Sequence, residues 1–219
     1  MVEPRIPKII HQMWVGSPEP AHIQRYMKLW QVHHPTWEIW IWHRKDLDRI
    51  ELENQEFFEN AFEVAPKSPY QFQADIARYE ILYRYGGVWV DADFECQHPI
   101  DPLIEGLSEG TGWLAWEVEG QWLNNAIMAM PEAHSLMADA IDALPQNIQL
   151  KWPATNTLLS GPQFITPLAL ETADPLLYLP KDHFYPYLWN ELHRGREEFP
   201  DSYAIHHWNN RRVRNEAPR

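Results

Sequence analysis

The stretch from Ser68 to Glu95 leaves this chain few ways to fold. Phe72, Ile76, Tyr79 and Tyr83 recur at intervals of four, three and four, the spacing of one helical face. Ser68 stands at the N-cap position, and Pro69 follows at the first helical position, where its missing N–H leaves no bond unmade. Tyr85 ends the helix because Gly86 can take the left-handed conformation other residues resist, and Gly87 extends the turn. Val88-Trp-Val-Asp-Ala-Asp-Phe94 then reads as a strand whose apolar start gives way to two carboxylates. A buried strand that ends in acids has arrived at a site.

The flanking segments agree with that frame. Ile6 to Val15, closed by Gly16-Ser17-Pro18, predicts a first strand, and Ala21 to His33 carries Ile23, Tyr26, Met27 and Trp30 at helical spacing. Trp37 to His43 is β-branched and aromatic and suits a second strand, after which Asp46 caps an expected helix to about Asn60. Beyond Pro99, strands are expected over Trp113–Trp116, Leu176–Leu179 and Tyr203–Trp208, with a strand or short helix over Trp122–Met130. Helices are expected over Pro131–Leu144 and within Asn156–Thr172. The alternation predicts an α/β fold, a mostly parallel sheet with flanking helices in a single domain. Residues 1–208 make that domain, and 209–219, with four arginines, read as a tail.

Composition narrows the partners. Eighteen Lys and Arg against 31 Asp and Glu give a net charge of −13, a field that repels phosphate backbones and speaks against nucleic acid. Any phosphate must be held by a local cation. The lone Cys96 suits a reducing compartment, the N-terminus lacks a secretory signal, and no apolar run spans a membrane. A cytoplasmic protein without a transmembrane segment is the expectation. Oligomeric state is not legible.

Asp91 and Asp93, two apart, would share a face of an extended strand and converge on one hard divalent ion, Mn²⁺ or Mg²⁺, bridging to a diphosphate. An EF-hand would need Gly at its sixth position and Glu at its twelfth, where Cys96 and Pro102 stand, and a phosphatase-type motif would want Thr where Glu95 is. Asp75 and Arg78, three apart, share a helix face away from the apolar stripe. They make either a surface ion pair or an acid for sugar hydroxyls with an arginine that meets a diphosphate bidentately.

Ala74-Asp-Ile-Ala-Arg-Tyr-Glu-Ile-Leu-Tyr-Arg-Tyr-Gly-Gly-Val-Trp-Val-Asp-Ala-Asp93 resembles the signature of the glycosyltransferase family with a DXD sugar-binding region, which includes yeast initiating α-1,6-mannosyltransferases and, more remotely, the glucosylating clostridial toxins. Ile6-Pro-Lys-Ile-Ile-His-Gln-Met-Trp14 is similar to that family's opening strand. The resemblance implies a GT-A (Rossmann-like) fold, a UDP- or GDP-linked hexose as donor, a divalent metal, usually Mn²⁺, and retaining transfer to a glycan or other hydroxyl acceptor, as in polysaccharide biosynthesis.

Carried residue by residue, the resemblance makes Asp75 and Arg78 the sugar-holding pair. Asp91 would contact ribose or metal through water, and Asp93 would ligate the metal directly. Ile9, His11 and Trp14 would line the nucleobase pocket. Trp89 replaces a common Tyr, which removes a hydroxyl. Asn124 or Asn125 would bond a sugar hydroxyl or cap a turn, His207 would complete the metal shell or donate to the diphosphate, and Trp208 would cover it. A sugar-nucleotide or glycan-binding protein without catalysis is the alternative on the same fold.

Overall fold

The computed structural model describes residues 5–209. In chain order it runs β1 (Ile9–Met13), α1 (Ala21–His33), β2 (Glu38–Trp42), the short helices α2 (Arg44–Leu47), α3 (Gln55–Glu59) and α4 (Ala61–Val64), then α5 (Pro69–Tyr85), β3 (Gly87–Val90) and β4 (Phe94–Cys96). It continues with α6 (Asp101–Ile104), β5 (Gly112–Val118), β6 (Trp122–Met130), α7 (Ser135–Lys151), α8 (Asn156–Leu159), α9 (Pro162–Glu171), β7 (Leu176–Leu179) and β8 (Ala204–His206). The expected tail lies outside the described residues from 210 onward.

Six strands form one sheet in the order β2-β1-β3-β6-β5-β7. β1 pairs parallel with β2 and β3, and β5 pairs parallel with β7. β6 alone runs against its neighbours, so the sheet is mostly parallel, as expected. β4 and β8 form a separate antiparallel pair with Phe94 opposite His206. Alternation along β3 divides the core. Trp89 points into the cluster with Phe72, Ile76 and Tyr79 of α5 and Leu136 and Met137 of α7. Val88 and Val90 point the other way, toward Trp30 of α1, Phe94 and Phe184.

The chain passes from β1 outward to β2 and then from β2 back across β1 to β3, so the order reverses between β1 and β3, a switch point where α/β sheets open a crevice beyond the strands' carboxyl ends. Close approach at the other end is made possible by Gly87: a Cβ there would sit 2.6 Å from the Ile9 carbonyl oxygen, and its φ is +97°. It is therefore the first residue of β3 rather than part of the turn.

The helix expected from Asp46 to Asn60 is instead broken into α2 and α3, with α4 following, and the chain between α2 and α3 bends to satisfy a buried acid. The backbone N–H groups of Glu53 and Asn54 donate to the Glu80 carboxylate at 2.6 and 2.9 Å. Tyr83, expected on the core face of α5, is 38% exposed, one turn beyond the buried Tyr79.

His11 is fully buried in β1. Its Nε2 lies 2.8 Å from the Gly86 carbonyl and its Nδ1 accepts from the Trp42 indole N–H at 3.2 Å. A ring that donates from one nitrogen and accepts at the other is neutral, and these partners assign the tautomer. Burial lowers its pKa from 6.5 to about 4, against the pull of the Gly86 carbonyl. The neutral folded ring thus stabilises the native state above pH 6.5, and that contribution, on the order of 3 kcal/mol, is lost as pH falls toward 4. Urea unfolding between pH 7 and pH 4 should show the native state weakening with acid, and His11→Gln should reduce that slope; an unchanged slope would refute the assignment.

Candidate active site

At the carboxyl ends of β1 and β3 lies a cleft of about 240 Å³, walled by Trp14, His22, Tyr70 and Ala74, with Asp91 and Asp93 along one side. The two aspartates do not share a strand face. β3 ends at Val90, and Asp91-Ala92-Asp93 forms the turn into β4, closed by the Phe94 N–H on the Asp91 carbonyl at 3.1 Å. The turn is needed because the chain leaves the main sheet here to pair with β8.

Behind Asp91 sits Arg78, 1% exposed. Its guanidinium meets Asp75 at 3.1 Å and Asp91 at 3.0 Å, donates to the carbonyls of Asn125 and Ala74 and lies 5.3 Å from the centre of the Trp89 ring. Every partner of its charge and its hydrogen bonds belongs to the protein. The arginine expected to reach a diphosphate is instead a buried tie between α5 and the end of β3. Trp89, which stands where a Tyr is common in the family the chain resembles, donates its indole N–H to Asp91 Oδ1 at 2.8 Å.

Asp75 is equally buried. Burial raises its acid from 3.8 to about 6, against Arg78 and the hydrogen bonds from Ser160 and Asn125. Burial also raises Asp91, helped by the charge of Asp93 and opposed by Arg78. Asp93 behaves in the opposite way. Burial would raise it, but His206 and the Asn209 N–H hold it at about 2. His206 Nε2 lies 3.1 Å from Asp93 Oδ1, and the Asn209 N–H donates to Oδ2 at 2.9 Å. Burial works against charging His206, yet the facing carboxylates, Asp93 foremost, raise its pKa above the usual value.

Ligand atoms of Asp91, Asp93 and His206 lie within 4.8 Å of one another. Two carboxylates and an imidazole suit a divalent ion such as Mn²⁺. The donor set fits the group implied by the sequence, and the imidazole brought to the two aspartates is that of His206, where His207 was expected. His207, the residue after β8, turns the other way, with Nε2 2.7 Å from Glu95 and Nδ1 3.0 Å from the Tyr187 hydroxyl.

The remaining expected residues divide in the same manner. Trp14 stands on the cleft wall, its indole N–H on the Ser17 carbonyl at 2.6 Å. Ile9 does not reach the cleft: it begins β1, five residues and about 16 Å from Trp14 at about 3.3 Å per residue. His11 is walled in between Trp42 and Gly86 and is likewise no part of the pocket. Asn125 is brought to the acids, donating to Asp75 at 3.0 Å and to the Tyr79 hydroxyl at 2.8 Å. Asn124 is spent on its own hairpin, through Glu117 at 2.7 Å and the Ala126 N–H at 2.8 Å. Trp208, at φ +54°, covers His206 with ring centres 4.0 Å apart. Asn209, expected as the start of a loose tail, is tied to Asp93.

Asn156 and Ser160 were not legible as site residues. Both donate to Asp75 Oδ2 at 2.8 Å from more than 80 positions away, and no local spacing carries such a contact.

Residues 20–108, which contain Asp75, Arg78, Asp91 and Asp93, match the family described as glycosyltransferase sugar-binding region containing DXD motif. Inositol phosphoceramide mannosyltransferase 1 of Schizosaccharomyces pombe is 32% identical over 168 residues, covering 74% of this chain and 50% of the relative. The chain thus spans about half the length of the curated relatives it matches. Among solved structures, the PaToxG glycosyltransferase superposes with a TM-score of 0.61 at 17% identity, over 77% of this chain and 70% of that one. The UDP-bound glycosyltransferase domain of the YGT toxin superposes with a TM-score of 0.61 at 10% identity, over 80% and 79%. At these identities the superpositions bear on the fold. Residues 20–108 of this chain thus match a glycosyltransferase sugar-binding region with a DXD motif, and the chain carries the GT-A fold of its structural neighbours.

Proposed function

We propose that the chain is a metal-dependent, retaining glycosyltransferase that moves a hexose, mannose from GDP-mannose in the first instance, to a hydroxyl of a glycan or other acceptor. The observation that carries the reading is the meeting of Asp91, Asp93 and His206 within 4.8 Å beside a cleft at the sheet's switch point. Mannose is favoured because the similar yeast protein is named a mannosyltransferase. The UDP-bound structural neighbour keeps UDP-hexoses as the competing donors. Residues 1–208 form the transferase domain in this reading, and Asn209 joins it through Asp93.

Each side chain then has a task. Trp14 offers its face to the nucleobase. Asp91, Asp93 and His206 hold Mn²⁺, which when bound supplies the positive charge a departing diphosphate requires. Asp93, held near 2, is ionised throughout the neutral range. His206 must give up its Nε2 proton to ligate, since a metal ligand is a neutral imidazole. Arg78 and Trp89 fix Asp91 by holding its Oδ1, and Asp75, buried beside Arg78, is the acid for the sugar hydroxyls. Trp208 shields His206 from water.

Two measurements bear on this. Asp93→Ala should lower Mn²⁺-dependent hydrolysis of GDP-mannose or UDP-hexose by at least about 100-fold while the far-ultraviolet circular dichroism stays as in the parent. Retained hydrolysis would remove the metal role, and donor binding without hydrolysis in the parent would favour the non-catalytic binding protein. Arg78→Lys should act first on the fold. One ammonium cannot serve both carboxylates and two carbonyls, and a broken buried pair costs about 3–5 kcal/mol. Urea unfolding should show that loss, and an unchanged midpoint would show that the guanidinium is not a structural tie.

A further inference from the structure

A carboxylate offers about four acceptor positions, and at Asp75 all are taken. Oδ1 receives Arg78 at 3.1 Å and the Asn125 amide at 3.0 Å, while Oδ2 receives the Asn156 amide and the Ser160 hydroxyl, each at 2.8 Å. With 2% of the residue exposed, a sugar hydroxyl can reach this acid only by replacing a donor already there. The cleft comes close to it: Ala74, the preceding residue, lines the cleft, and Asp91 shares Arg78 with Asp75.

The two oxygens differ in how firmly their donors are held. Those on Oδ1 stand in α5 and in the middle of β6, and withdrawing Arg78 would leave a buried cation without its partner, which is strongly unfavourable. Those on Oδ2 stand in or just after α8, a single turn bounded by the exposed Trp152 and by Gly161. That turn is pinned by the Asn147 amide on the Leu158 and Leu159 carbonyls, at 2.9 and 2.8 Å, by the Tyr79 hydroxyl and the Asn125 amide on the Ser160 carbonyl, and by Leu159, which is buried in the core. A hydroxyl and an amide N–H are also the donors that hydroxyls of a hexose replace like for like.

We propose, building on the donor-site reading above, that Asn156 and Ser160 occupy in the free chain the places that two hydroxyls of the transferred hexose take on Asp75 Oδ2, and that binding of the donor displaces the segment 155–161. The free chain is then closed at its sugar subsite and open at its nucleotide subsite. The nucleoside diphosphate binds without disturbing α8, and only a hexose with hydroxyls placed to replace both donors opens it. Selection among hexoses rests on this exchange.

The sign of one substitution separates this from a supporting role. Ser160→Ala removes a competitor for Oδ2, so in the presence of Mn²⁺ the affinity for GDP-mannose relative to GDP, or for UDP-galactose relative to UDP, should rise by about 3- to 10-fold, the worth of one hydrogen bond. An unchanged or lower ratio overturns the proposal. Hydrogen exchange on the unsubstituted protein gives a second test that does not depend on the variant folding. GDP or UDP alone should slow exchange around Trp14 and Asp91 and leave 155–161 as in the free chain, whereas the sugar nucleotide should accelerate exchange at 155–161. Slowing at the cleft by the sugar nucleotide with no acceleration at 155–161 overturns the exchange alone. No slowing with any of the four compounds overturns the donor-site reading and the exchange together.

Discussion

A guanidinium withdrawn from water has to find its charge and all its hydrogen-bond acceptors inside the protein, and Arg78 finds them in parts of the chain that have nothing else to hold them in common. Asp75 belongs to its own helix, Asp91 to the turn after β3, the Asn125 carbonyl to β6, and the Trp89 ring to the strand between. The helix, two strands and the turn are thereby fixed relative to one another at the sheet's carboxyl edge. Without that tie the Asp91 carboxylate would have only the Trp89 N–H to orient it.

The same neighbourhood shifts two nearby acids in opposite directions. Asp91 shares its arginine with Asp75 and sits where burial opposes ionisation, while Asp93, two residues on, has a histidine of its own and a backbone N–H, and is a firm anion. The same surroundings thus move the two acids apart, Asp91 upward and Asp93 downward. Such a division follows from the turn between β3 and β4: an extended strand would have put both carboxylates in one environment. The acid excess of the whole chain, −13, therefore says little about these two positions, whose states are set within a few ångströms.

Much of this was readable from local pattern. α1 and α5 follow from their apolar spacing, β1 to β3 from apolar runs bounded by glycine and proline, and the position of the acids from the abrupt end of β3. What could not be read depends on contacts between distant segments. Glu80 breaks the 46–60 segment from more than 20 residues away. β4 has a partner only because β8 returns from the far end of the chain, and the choice between His206 and His207 follows from a register, Phe94 opposite His206, that no spacing reveals. For Asp75 and Arg78 the helix face was legible but its environment was not, so a pair consistent with solvent or ligand lies instead beneath β6 and the α8 turn.

The pairing of β4 with β8 also bears on how the molecule is made. Asp91 and Asp93 leave the ribosome more than a hundred residues before the imidazole that balances them. During that interval the growing polypeptide carries two adjacent anions with no cationic neighbour from the closing strand, so the corner between β3 and β4 is electrostatically unfinished until synthesis is nearly over. Assembly of the Asp91, Asp93 and His206 cluster is thus postponed to the last stage of folding, and a chain stalled before Ala204 would carry the acidic motif in full yet lack the histidine that faces it.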